Sequence, residues 1–211
     1  MSDANPFFVT PDWLQQRIGR PGLKIVDGSW YLPAQKRDAR AEYNSGHIPG
    51  AVFFDQDKVV DPNSSLPHTL PSPEVFARFA GTMGIAVDDT IVVYDGPGVF
   101  TAPRVWWMFR VMGAKNVSIL GGGGDGWKAA GRPVTAEPTK IAPNVFHADF
   151  DTSRVASLAD MRTIVETASA EIADARPGGR FTGADPEPRA GMRSGHMPGA
   201  HSVPALSLAK D

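Results

Sequence analysis

The feature that most constrains this chain is a repeat. Ser45-Gly46-His47-Ile48-Pro49-Gly50-Ala51 returns as Ser194-Gly195-His196-Met197-Pro198-Gly199-Ala200, 149 residues further on. Each copy follows a short apolar run that ends in aspartate: Lys24-Ile25-Val26-Asp27 before the first, Glu171-Ile172-Ala173-Asp174 before the second. Solenoid repeats recur every ~20–50 residues, so a period this long signals duplication of a whole domain. The chain is therefore expected to divide into a first domain over residues 1–131, a linker over 132–151 marked by Pro133, Pro138 and Pro143, and the start of a second domain over 152–211. That second domain is expected to be incomplete, because the counterpart of Tyr94-Asp95-Gly96 would fall near position 244 of a sequence of 211 residues.

Between the two copies, helix and strand signals alternate. Thr10-Pro11-Asp12 supplies a cap, a first-turn proline and an acid before Trp13 to Ile18, with Gly19 as the stop. Ser72-Pro73-Glu74 opens a second helix carrying Val75, Phe76, Phe79 and Met83 and closed by Gly84. Thr90 to Tyr94 is β-branched without polar alternation, the pattern of a strand covered on both faces. A helix over Thr101 to Met112, a strand over Val117 to Leu120 and a later helix over Leu158 to Ala168 complete the rhythm. The expected class is α/β, a parallel sheet with helices on both faces.

Composition narrows the function. A net charge of -2 and no like-charged run give no field for phosphates, which argues against a nucleic-acid partner. No apolar run reaches the ~20 residues a membrane helix needs, and Met1 to Thr10 lacks the basic and apolar regions of a leader. A cytoplasmic protein with no membrane partner is expected. The absence of cysteine excludes disulfides, thiolate metal sites and a cysteine nucleophile within these residues.

Several blocks in order carry a resemblance: Val26 to Pro33, Gly46 to Ala51 with Phe53-Phe54-Asp55, Ala102 to Phe109, Asp174-Ala175-Arg176 and Pro186-Glu187-Pro188-Arg189. From about Val9 to its last residue the chain resembles the thiosulfate and 3-mercaptopyruvate sulfurtransferases, a family of tandem rhodanese domains. The resemblance implies the rhodanese fold in both halves, an active site in the cleft between two domains, and a nucleophilic cysteine carried only by the C-terminal domain. It implies small-molecule partners, a sulfur donor and a thiol or cyanide acceptor, and no cofactor. It also makes Asp95 the inactive-loop counterpart of that cysteine, Arg180 and Arg189 the ligands of a keto-acid carboxylate and carbonyl, and Asp57 with His68 a proposed proton relay.

The residues themselves leave alternatives open. Asp95 before Gly96-Pro97-Gly98 reads either as a metal or phosphate-reactive group or as a carboxylate satisfying loop N–H groups near a helix start. Arg180 and Arg189 read equally as solvated loop arginines, although a planar guanidinium suits bidentate binding of a small keto acid. His68 in Leu66 to Leu70 reads as a loop residue or as an imidazole oriented by a carboxylate. His47 and His196 lack a second ligand at metal spacing and are expected to bond local backbone. Gly121 to Gly124 lacks a following Lys-Ser or Lys-Thr and is expected to form a tight turn into a helix anchored by Trp127. Trp106 to Phe109 reads as core. Beside the enzyme stands a second class, a non-catalytic rhodanese module that acts by binding, which the missing cysteine and Asp95 favour. Residues 158–211 alone cannot bury enough apolar surface to offset their ordering entropy, so they are expected to lean on the first domain, on a second copy of the chain or, the favoured partner, on a bound C-terminal fragment of the same protein.

Overall fold

In the computed structural model the described residues are 7–188 and 191–208. They form two compact units, Met1–Thr152 and Ser153–Asp211.

In the first unit, β1 (Phe8–Val9) leads into α1 (Pro11–Gln15), whose cap Thr10 accepts the Trp13 N–H at 3.1 Å. Then come β2 (Leu23–Asp27), α2 (Ala39–Ser45), β3 (Ala51–Phe53), α3 (Pro73–Thr82), β4 (Thr90–Tyr94), α4 (Ala102–Val111), β5 (Val117–Leu120) and α5 (Gly123–Ala129). Every strand pair is parallel, in the order β1-β5-β4-β2-β3. Ile91, Val92 and Val93 of β4 are all fully buried, as an uninterrupted apolar run in a sheet covered on both faces requires. One layer of core joins Val26, Phe54, Phe76, Val93, Val105 and Phe109; the other joins Leu14, Ile25, Val92, Leu120 and Trp127.

The chain runs from β2 to β3 on one side and then crosses to β4 on the other side of β2. Open parallel sheets bind ligands at such a reversal, outside the carboxyl ends of the strands. The loops that leave β2, β3 and β4 there begin at Gly28, Phe54 and Asp95.

The segment expected as a linker behaves otherwise. Residues 132–151 contain no helix or strand, yet they strap the first unit: Phe146 is 3% exposed within the core, and the Asn144 N–H donates to the Gly81 carbonyl at 2.9 Å. A Cβ at Gly81 would stand 2.5 Å from the Asn144 carbonyl oxygen, so this glycine marks the strap's close approach to α3. Proline cannot donate to a strand ladder, so Pro133, Pro138 and Pro143 disfavour a regular strand in the strap.

The second unit contains α6 (Leu158–Thr167), β6 (Ile172–Asp174), α7 (Gly178–Thr182) and β7 (Ala200–Ser202). Ser157 and Asp160 cap α6 reciprocally. Strands β6 and β7 form a parallel pair. Ile172 is the buried hydrophobic residue of this unit among the described residues, while Leu158, Leu206 and Leu208 lie open to solvent.

Candidate functional site

Asp95 ends β4 at the reversal of the sheet and is fully buried. Its Oδ1 accepts the Gly98 N–H at 2.5 Å, and its Oδ2 accepts those of Phe100, Thr101 and Ala102 at 2.8, 2.5 and 2.7 Å. These N–H groups converge because the loop wraps the start of α4, where the helix dipole favours negative charge. Gly123 lets α5 close over the loop: a Cβ there would lie 2.5 Å from the Asp95 carbonyl oxygen. The carboxylate fills this cradle with its own oxygens and cannot carry sulfane sulfur.

Asp57 and His68 come together beside this loop. His68 Nε2 lies 2.8 Å from Asp57 Oδ1, and Trp30 donates its indole N–H to both Asp57 oxygens at 3.1 and 3.2 Å. The Trp30 and His68 rings meet edge to face, centroids 5.0 Å apart. A carboxylate oxygen only accepts, so the proton is assigned to Nε2, which leaves a lone pair on Nδ1. Asp57 is largely solvent-accessible and His68 partly so. The Gly28 carbonyl ties the two loops together, accepting from Gln56 Nε2 at 2.6 Å and from Thr101 Oγ1 at 2.9 Å. Sequence reasoning missed Trp30 as a site member; the signal was an indole donor in the loop that leaves β2, where the sheet reverses.

In the second unit Arg180 donates through Nε and Nη2 to Glu187 Oε2 at 3.1 and 2.5 Å. Arg176 bridges Glu187 at 2.8 Å and Asp174 at 2.6 Å. The side chain of Glu187 is 2% exposed, and Arg180 holds its carboxyl below the usual range. The hydrogen bond from Arg176 lowers Asp174 to about 2. Arg180 is thus aimed by an acid that sequence reasoning passed over, although Glu187 sits in the block quoted for the resemblance. Arg189 lies outside the described residues.

His47 Nδ1 pairs with the Tyr43 carbonyl at 2.8 Å and its ring stacks on Tyr43 at 4.0 Å. His196 repeats this with Phe181, at 2.8 and 3.8 Å. Among the described residues no group of three or more His, Cys, Asp or Glu side chains could hold a metal, and no helix is long and apolar enough to cross a membrane.

Comparison with known proteins shows the family. The rhodanese-like domain family matches residues 10–130. The chain is 41% identical over 209 residues to the 3-mercaptopyruvate sulfurtransferase of Escherichia coli, spanning 99% of this chain and 74% of that protein. It is 40% identical to the mitochondrial thiosulfate/3-mercaptopyruvate sulfurtransferase 1 of Arabidopsis thaliana, over 93% of this chain, and spans 57% of the length of that relative. Among solved structures, SseA of Escherichia coli, a 3-mercaptopyruvate sulfurtransferase, matches with a TM-score of 0.87 and 40% identity over 97% of this chain and 77% of that one. A rhodanese fold and this identity over nearly the whole chain place the protein in the rhodanese-domain family of 3-mercaptopyruvate and thiosulfate sulfurtransferases.

Proposed function

We propose that this chain serves a sulfurtransferase that moves sulfane sulfur from 3-mercaptopyruvate to a thiol or cyanide, through a persulfide on a cysteine beyond Asp211. The observation that carries this reading is the 41% identity over 99% of the chain with a 3-mercaptopyruvate sulfurtransferase. In the reaction a cysteine thiolate attacks the substrate sulfur, the C–S bond breaks, and its electron pair leaves as the enolate of pyruvate. The transferred sulfur sheds one proton and the enolate carbon gains one, so a proton carrier balances the step. His68, oriented by Asp57, is that carrier, and Arg180 with Arg189 holds the keto acid through its carboxylate and carbonyl. The acceptor then attacks the outer sulfur of the persulfide, the S–S bond breaks, and the thiolate returns.

Thiosulfate is the weaker donor in this reading, since guanidinium forks suit a planar carboxylate. A cytoplasmic setting belongs to the same reading, because acceptor thiols are kept reduced there. So does completion of the two-stranded sheet β6–β7 by further strands, covalently joined or bound as a C-terminal fragment; the exposure of Leu206 and Leu208 supports this. The second reading, a binding module, is favoured by one observation: the Asp95 carboxylate already occupies the anion cradle of the first unit.

Cyanolysis tests the proposal. The natural full-length gene product should form thiocyanate from 3-mercaptopyruvate, and the 211-residue chain should show none above background, having no cysteine. Arg180→Ala or Arg189→Ala in the full-length product should lower kcat/KM for 3-mercaptopyruvate by roughly 10- to 100-fold, the weight of a lost charge-assisted contact. Unchanged kcat/KM in both variants would reject the substrate assignment.

A further inference from the structure

Arg104 stands in the first turn of α4, where the positive end of the helix dipole disfavours a cation. It is partly withdrawn from solvent, and burial lowers its pKa with no carboxylate paired to it among the described residues. Two electrostatic preferences are broken at one side chain, and natural chains break such local rules chiefly at functional sites.

The partner of this guanidinium is the main-chain carbonyl of His68. His68 has φ 58°, a left-handed backbone that a non-glycine residue adopts only when its surroundings hold it there. Among the described residues the other non-glycine positions with positive φ, Lys36 and Ala168, are helix C-caps, where that conformation is ordinary. His68 ends no helix. Its turn is held from two sides: Asp57 takes the ring at Nε2, and Arg104 takes the backbone.

We propose that Arg104 is a positioning residue: by clamping the His68 carbonyl it fixes the left-handed turn, keeps Nε2 on Asp57, and leaves Nδ1 free as the proton-handling atom. This rests on the reading of Asp57 and His68 as a proton carrier. It adds a residue from α4 to a site that otherwise draws on the loops after β2 and β3.

The test uses the 211-residue chain labelled with nitrogen-15 and reads the imidazole tautomer from long-range proton–nitrogen correlations, with His68→Gln identifying the signals. The native chain should show His68 as one tautomer, protonated at Nε2. Arg104→Met, which keeps the stem and removes every donor, should lower the tautomer ratio by roughly threefold or more, as loss of a hydrogen bond implies. The Trp127 indole signal, whose N–H donates to the Pro133 carbonyl in the other core layer, should stay in place. An unchanged His68 tautomer in a folded variant overturns the proposal. Equal displacement of the Trp127 and His68 signals also overturns it, because that marks general loosening of the first unit. If Arg104→Met does not fold, Arg104→Gln, too short to reach the carbonyl, is judged by the same criteria. The readout does not involve sulfur, so the clamp can fail while sulfur transfer stands, and the reverse.

Discussion

The two halves of the repeat begin alike and end differently. Ile25 pairs with Ala51 and Asp27 with Phe53 in the first unit; Ile172 pairs with Ala200 and Asp174 with Ser202 in the second, the same register. Both turns stack a histidine on an aromatic ring and bond its Nδ1 to the carbonyl of that ring's residue. Both place an arginine on a glutamate, Arg37 on Glu42 and Arg176 on Glu187. Yet His47 is 2% exposed while His196 lies open. A short local block is enough to set strand register and turn geometry. Burial comes from β4, α4, β5 and α5, which only the first unit has among the described residues.

The largest effect that sharpens this contrast concerns Asp95, deep in the half with a complete core. Asp95→Asn keeps the size but turns one oxygen into an amide that presents hydrogens to N–H donors. Buried donors then lose their acceptor, and the first unit should be destabilised by about 3–5 kcal/mol. The urea midpoint measures this. A loss below about 1 kcal/mol would show that water can replace the carboxylate and that the loop is less enclosed than its neighbours imply.

A smaller effect compares the repeated histidines directly. His47→Ala removes a buried stacked ring and its bond to Tyr43, and should cost about 2–3 kcal/mol. His196→Ala removes the same contacts from an exposed turn and should stay within about 0.5 kcal/mol. Equal losses in parallel denaturation curves would break the comparison, since the turn itself would then carry the stability.

Much of the first unit could be read from local signals. Thr10 and Ser72 cap their helices, and Thr90 to Tyr94 and Val117 to Leu120 are strands over the residues expected. The role of residues 132–151 as a strap was not legible, because proline-rich composition looks the same whether the chain crosses solvent or lies along a core. At the site, the pairing of Asp57 with His68 followed only from resemblance; eleven residues apart in sequence, they meet at 2.8 Å across a loop in which His68 is left-handed. Trp30, Glu187 and Arg104 escaped notice for a related reason. Each bonds another candidate side chain or its backbone, and no spacing rule encodes that.

The smallest effect separates the two aspartates that end β2 and β6, equivalent in register and opposite in electrostatics. Burial raises the Asp27 carboxyl above its usual range, while Arg176 lowers Asp174 to about 2. The signs follow from linkage. For Asp27 the folded state binds the proton more tightly, so its contribution to stability is full below the usual carboxylate pKa of about 3.9 and is lost as pH rises through the folded value. For Asp174 the folded state binds the proton less tightly, so its contribution is full above that reference and is lost as pH falls towards about 2. Carbon-13 titration of the side-chain carboxyls should find Asp27 protonating well above Asp174. Asp27→Asn should flatten the loss of first-unit stability with rising pH, and Arg176→Met should return Asp174 towards its ordinary value. Coincident titration of both carboxyls would mean that the first unit's core does not desolvate Asp27, and the contrast in burial between the two halves would lose its electrostatic consequence.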